Sequence, residues 1–175
     1  MIIKNVRCDW VFLAETNQHG GYSMCIMIPN SHPQLDEVKA AIAAAEDKGI
    51  AAGKFTKANT TSANFKQPLH DGTAEHAADE RPAHYKGHMY VNANQKSGQP
   101  GIVGPDGNPL MDNSCLYSGA FYHVDINFYP FDTKSKGVGC GLNNVMFVKD
   151  GDRLDGRVNA EEAFAGLAVA DENLQ

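Results

Sequence analysis

The segment Ser118 to Phe131 (SGAFYHVDINFYPF) alternates along its whole length. Side chains two apart share one face of a β-strand, so this spacing commits the stretch to extended structure. Ala120, Tyr122, Val124, Ile126 and Phe128 make one face, which has the character of a core face. The other carries Phe121, His123, Asp125, Asn127, Tyr129 and Phe131, where rings interleave with polar groups. The stretch Tyr85 to Asn94 repeats the arrangement. Gly87, Met89, Val91 and Ala93 fall on one parity, and Lys86, His88, Tyr90, Asn92 and Asn94 on the other. Rings, amides and cations on one sheet face form a stacking platform, because every nucleobase presents a π-face to a ring. The competing reading is a second core face, covered by a loop or by another copy of the chain.

Around these two stretches the chain is mostly strand. Ile3–Trp10 begins the set, Tyr22–Ile28 follows a Gly-Gly turn, and Asn143–Lys149 closes it. Turns are expected at Pro105-Asp106-Gly107 and over Gly137–Gly141. Leu35, Val38, Ile42 and Ala45 recur at helical spacing after Pro33, which predicts one main helix over about 33–48 with Gly49 as its stop. Residues 51–82 read as a long loop and 166–175 as a loose tail. Many short strands with one helix point to a mainly β chain, a small antiparallel barrel or sandwich; a parallel α/β sheet needs more helices. With 175 residues, 42% of them apolar, one domain with a real core is expected.

The formal net charge of −6 argues at first against a phosphate-rich partner. Placement changes this. Residues 1–149 hold 13 basic against 14 acidic side chains, whereas residues 150–175 hold two basic against seven acidic. Between Asp47 and Asp71 there is no acid at all. That window contains Lys48, Lys54, Lys57 and Lys66 with Phe55 and Phe65 between them, and Lys134 and Lys136 extend the same chemistry beyond the aromatic strand. Such a segment suits a phosphate backbone; an ordinary solvated loop with two anchoring rings is the alternative.

A third grouping sets Asp71, Glu75, Asp79 and Glu80 beside His70, His76, His84 and His88. It admits a metal-dependent nuclease, although the chain has no H-E-x-x-H, no Cys/His zinc spacing and no EF-hand loop. Neither G-x-S-x-G nor a Walker loop occurs. No catalytic residue, metal or cofactor is therefore expected. The four cysteines show no C-x-x-C and read as reduced thiols of a cytosolic protein. No apolar run spans a bilayer, and MIIKNVRCDWVF lacks the apolar core of a secretion signal.

Several pieces together resemble a known family. They are Gly20-Gly21-Tyr22 leading to Ile28-Pro29, the Ala-rich helix, Asp71-Gly72, Tyr85-Lys86-Gly87-His88 through Ala93, and Pro109-Leu110 with Asp112. Tyr117-Ser118-Gly119, Ile126 through Phe131, and Lys136-Gly137 through Gly141-Leu142-Asn143-Asn144-Val145 complete the set. Over roughly residues 1–165 the chain resembles the phage single-stranded-DNA-binding proteins of the domain-of-unknown-function type, relatives of the podophage replicative single-strand binder. The resemblance implies an OB-fold, a five-stranded Greek-key β-barrel with the helix over one end. It implies sequence-independent binding of single-stranded DNA in phage replication, recombination or repair, in the cytoplasm of the infected host, without enzymatic activity. Relatives end in an acidic tail that recruits replication proteins and competes with DNA; here only Asp171 and Glu172 follow Gly166.

The resulting expectation is one domain over 1–165 with a tail over 166–175. Phe55, Tyr90, Phe121 and Tyr129 stack on bases. Lys54, Lys57, Lys66, Lys86, Lys134 and Lys136 neutralise phosphates, and His88, Asn92 and Asn127 supply polar contacts. The rivals are the nuclease and a phage structural protein whose aromatic face is a subunit contact. Monomer and homo-oligomer read alike at this level.

Overall fold

The computed structural model describes residues 1–158 and 160–167. Its first strands are β1 (Ile2–Phe12) and β2 (Tyr22–Pro29), paired antiparallel. The main helix α1 (Leu35–Ala51) follows, then the short α2 (Lys57–Thr60), β3 (Leu69–Asp71) and α3 (Gly72–Ala77). A 3-10 turn at Ala83–Tyr85 leads into β4 (His88–Gln95) and the short β5 (Gly101–Val103). The long strands β6 (Phe121–Phe131) and β7 (Gly137–Lys149) form the last hairpin, and α4 (Ala160–Ala163) lies beyond it.

The seven strands run in the order β3-β4-β2-β1-β6-β7-β5, and β4 also pairs with β7, in parallel, at Asn94 and Gly141. The chain is thus mainly β, as its alternation predicts. Among the described residues the sheet has seven strands, of which β3 and β5, three residues each, add to the edges of β4 and β7. The inward parity of the long strands makes the core: Ile3, Val6, Ile26, Ile28, Val91, Tyr122, Val124, Ile126 and Leu142 are all fully buried. Leu35, Val38 and Ile42 lay the apolar stripe of α1 on this core. Each such aliphatic side chain contributes about 1.5–3 kcal/mol by leaving water.

Three local expectations are corrected, the first being the turn over Gly137–Gly141, which instead forms the start of β7 paired with β6. Gly49 does not stop α1; the helix runs on to Ala51. A Cβ at Gly49 would lie 2.2 Å from the Phe55 ring and 2.7 Å from Cβ of Pro130, so the glycine serves close packing between the helix, the next segment and β6. Residues 51–82 are not one loop either. Thr56 and Asn59 form a capping box on α2, and the Asp71 carboxylate accepts the N–H groups of Thr73 and Ala74 at the start of α3. Phe55 and Phe65 meet edge to face at 5.0 Å and pack with Ala45 and Val138, which ties the segment to the body.

All four cysteines are free thiols. Burial pushes the thiols of Cys25 and Cys140 up to about 12. Among the described residues no helix is long and apolar enough to cross a membrane. Of the expected tail, residues 168–175, with Asp171 and Glu172, lie outside the described residues.

Gly49→Ala tests the packing role of the glycine. Helix propensity alone favours alanine by about 1 kcal/mol, and overpacking costs about 1–3 kcal/mol. A net loss of stability, seen as a lower urea midpoint, is expected; a gain would show that Gly49 is not needed for close approach.

Candidate nucleic-acid interface

Strand register places the outward side chains in rows. Asn94 on β4 pairs with Ser23 on β2 and with Gly141 on β7, and Gly141 pairs with Asn127 on β6. One step along β6, Tyr129 pairs with Gly139. The glycines matter because nothing rises from β7 between these side chains. A Cβ on Gly139 would be 2.5 Å from the Tyr129 ring, and one on Gly141 would be 2.5 Å from Oδ1 of Asn127. The ring and the amide therefore lie down over β7, and Tyr129 stays 45% exposed. The groove beside them, about 330 Å³, is lined by Asn94, Lys96, Asn127, Tyr129 and Asn143.

Across β2 the same face continues onto β1. Phe12 pairs with Ser23, and the β1–β2 register shifts between Asp9 and Phe12. Trp10 sits in this irregularity with φ of 48° and is 58% exposed. A cleft of about 660 Å³ is lined by Trp10, Phe12, Arg81, Asn92 and Asn94. Asn94 lines both hollows, so the exposed rings of Trp10, Phe12 and Tyr129 stand along one surface whose middle is carboxamides. Trp10, Phe12, Arg81, Asn94 and Lys96 are absent from the sequence-derived site. Strict alternation puts Trp10 on the side of Cys8, which is in the core, and only the bulge turns it outward. The available signal is that Trp10 is the one tryptophan of the chain.

The other expected residues divide. Lys66, Lys134 and Lys136 come together: the Lys66 N–H donates to the Lys136 carbonyl at 2.9 Å, beside a hollow of about 220 Å³ lined by Asn59, Asn64, Lys134 and Lys136. This basic edge lies on the turn that follows the Tyr129 end of β6. Lys54 is 3.5 Å from Asp132 on that turn, and Lys57 is exposed on α2. Phe121 is at the opposite end of β6, eight residues or roughly 26 Å from Tyr129, half-buried with the Lys149 ammonium 4.7 Å from its ring. Lys86 and His88 lie at the far end of β4, where His88 pairs with Pro29 and its Nδ1 contacts the Lys86 carbonyl at 2.9 Å.

Two expected stacking rings are buried, and that reading is corrected. Phe55 is 3% exposed in the cluster beneath α1, and Tyr90 is 1% exposed. One face of Tyr90 is stacked on His70 at 4.9 Å, Tyr85 meets it edge-on at 5.1 Å, and the Arg81 guanidinium is 4.9 Å from the ring. No face is left for a base. Burial and then the hydrogen bond that Tyr90 donates to Glu75 push its hydroxyl up to about 12, so it is a neutral donor near pH 7. Six of the eight carboxylates and imidazoles of the 70–88 group make such internal contacts, while Asp79 and Glu80 are exposed. Asp71 caps α3, Glu75 accepts from Arg81 at 3.3 Å, and Nδ1 of His76 meets the Arg81 carbonyl at 2.8 Å. His84 donates to Asp9 at 3.0 Å.

Residues 1–174 match the family model described as the Enterobacter phage Enc34 ssDNA-binding protein. The chain belongs to this Enc34 family. A relative from Acyrthosiphon pisum secondary endosymbiont phage 1, the protein p50, is 29% identical over 97% of this chain and 95% of its own length. Among solved structures, the C-terminally truncated single-stranded DNA-binding protein from bacteriophage Enc34 is similar with a TM-score of 0.69 at 18% identity, covering 89% of this chain and 87% of that one. The Enc34 protein in complex with ssDNA gives 0.63 at 20% identity, over 87% and 88%. The bacteriophage T7 single-stranded DNA binding protein gp2.5 gives 0.63 at 16% identity, over 100% and 98%. At these identities the likeness to solved structures is one of fold. The family match bears out the resemblance read over roughly residues 1–165.

For this Enc34-family chain, the division between buried and exposed rings is testable by urea denaturation. Phe55→Ala should cost about 3–5 kcal/mol, and Tyr129→Ala should stay within about 1 kcal/mol of the wild type. Equal losses would put Tyr129 in the core.

Proposed function

We propose that the chain binds single-stranded DNA without sequence preference, along the face that runs from Trp10 and Phe12 past Asn92, Asn94 and Asn127 to Tyr129. The observation that carries this reading is the continuity of exposed rings and carboxamides across four strands, with Lys66, Lys134 and Lys136 at one edge. Rings stack on bases of any identity, which gives affinity without base readout. The lysines at the edge neutralise phosphates. Membership in the Enc34 family supports the choice of ligand, as does the fold shared with a protein solved in complex with ssDNA. Phe121, Lys86 and His88 lie off this path, and Lys54 and Lys57 flank it.

In the same reading, strands β4, β2, β1, β6 and β7 are the five strands of an OB-fold, closed by the β4–β7 pair and covered at one end by α1. Residues 1–165 are its single domain, and 166–175 a loose tail. The protein serves phage replication, recombination or repair in the cytoplasm of the infected host, without catalysis. The acidic C-terminal segment, seven acids in residues 150–175, recruits replication proteins. Self-association is compatible with this role.

Titration of labelled dT oligomers at several salt concentrations tests the proposal. Binding should weaken as salt rises. Trp10→Ala and Tyr129→Ala should each weaken it by about 1–3 kcal/mol, which is about 5- to 150-fold, while Phe121→Ala changes little. Absence of binding, or Trp10 and Tyr129 variants that bind like the wild type, would contradict the proposal. Time-dependent cleavage of the oligomer with Mg²⁺ would favour the nuclease instead.

A further inference from the structure

Asp9 is the one charged side chain that is buried among the described residues, at 6% exposure. A carboxylate in such a place costs several kcal/mol unless its oxygens are satisfied. Both are. Oδ1 accepts the backbone N–H of Trp10 at 2.8 Å. Oδ2 accepts the Tyr85 hydroxyl at 3.0 Å and faces Nε2 of His84 at 3.0 Å. Burial holds the Tyr85 phenol well above its ordinary range, so it remains a donor to that oxygen. The carboxylate is thereby held between the 83–85 turn, through Oδ2, and one amide of β1, through Oδ1.

That amide lies where the pairing of β1 with β2 becomes irregular. The β1–β2 register is continuous from Arg7 to Asp9 and resumes only at Phe12. Trp10 takes φ of 48°, a left-handed conformation that costs an aromatic L-residue on the order of 1–2 kcal/mol. Something must hold it there. If β1 ran straight on, position 10 would share the inward parity of Cys8, and the indole would be directed at the core. The Asp9 carboxylate gives the displaced N–H of Trp10 a charged acceptor at this bulge. Charge-assisted hydrogen bonds are about twice as strong as neutral ones. The result is an indole 58% exposed on the wall of the cleft, beside Phe12.

We propose that Asp9, braced by Tyr85 and His84, is a positioning residue for single-stranded-DNA binding: it holds the β1 bulge that presents Trp10 to a base. This inference rests on the DNA-binding reading above. It assigns Asp9 no contact with DNA. Its whole effect passes through Trp10, and this separates it from a residue that merely supports the fold.

A double-mutant cycle between Asp9→Ala and Trp10→Ala, read by dT-oligomer affinity, makes the test, with Trp10 fluorescence as a second readout. Trp10 is the only tryptophan, so its emission and its quenching by DNA report on this one ring. Asp9→Ala should shift the emission, reduce the quenching and weaken binding about 5-fold or more, the lower end of what one stacked base is worth. In the Trp10→Ala background it should cost nothing further. Tyr85→Phe, which keeps the ring and removes only the hydroxyl, is run beside it in case Asp9→Ala does not fold. It should shift the emission in the same direction, with an affinity loss that also vanishes when Trp10 is absent. Losses that add in full, or Asp9→Ala and Tyr85→Phe proteins with wild-type emission and affinity, would overturn the proposal. Wild-type protein that fails to bind dT at all would instead overturn the DNA-binding reading.

Discussion

The pairing of β4 with β7 at Asn94 and Gly141 governs the outer face of this protein. It brings the amide-bearing strand β4 alongside the glycine-bearing strand β7, and β7 in turn carries β6 with Asn127 and Tyr129. Without that contact the two aromatic stretches of the sequence would belong to separate parts of the sheet. With it, side chains from β1, β2, β4 and β6 share one surface. Glycines at 139 and 141 are the local condition, since any Cβ there would collide with the Tyr129 ring or the Asn127 amide. A bare stretch of strand thus becomes the floor on which an aromatic ring and an amide rest.

How much of this was legible in the sequence depends on whether a signal was local. The inward faces of β4 and β6 follow from alternation, and α1 follows from Leu35, Val38, Ile42 and Ala45. Gly137–Gly141 reads as a turn because glycines weaken strand patterns, yet G-x-G-x-G is also alternation, with glycine on one face and Val138 and Cys140 in the core on the other. Trp10 was hidden by the bulge, which reverses parity there and turns the indole outward. Tyr90 and Asn92 are two apart on one strand face and look equivalent in sequence. Burial separates them: Tyr85, in the turn before β4, with Arg81 and Glu75 from further upstream, covers Tyr90 and leaves Asn92 exposed.

The charge distribution fits a surface that relies on rings and amides more than on cations. The body of the chain is near neutral, and its acid-free window contributes Lys66 to the edge formed with Lys134 and Lys136. The remaining window residues mostly serve structure: Phe55 and Phe65 anchor the segment, and Thr56 with Asn59 caps α2. Much of the acid and histidine group of 70–88 is likewise engaged in capping α3 and in holding Arg81 and Tyr90, while Asp79 and Glu80 stay exposed. Arg81, held by Glu75 from this segment, lines the cleft beside Trp10 and Phe12.

Photo-crosslinking with an oligonucleotide carrying 5-iodouracil, followed by mass mapping of the linked peptides, tests the central claim most directly because it reads position rather than affinity. The account predicts adducts on the peptides that hold Trp10 and Phe12 and the peptide that holds Tyr129. Adducts confined to Phe121 or to the Lys86–His88 end of β4 would contradict it.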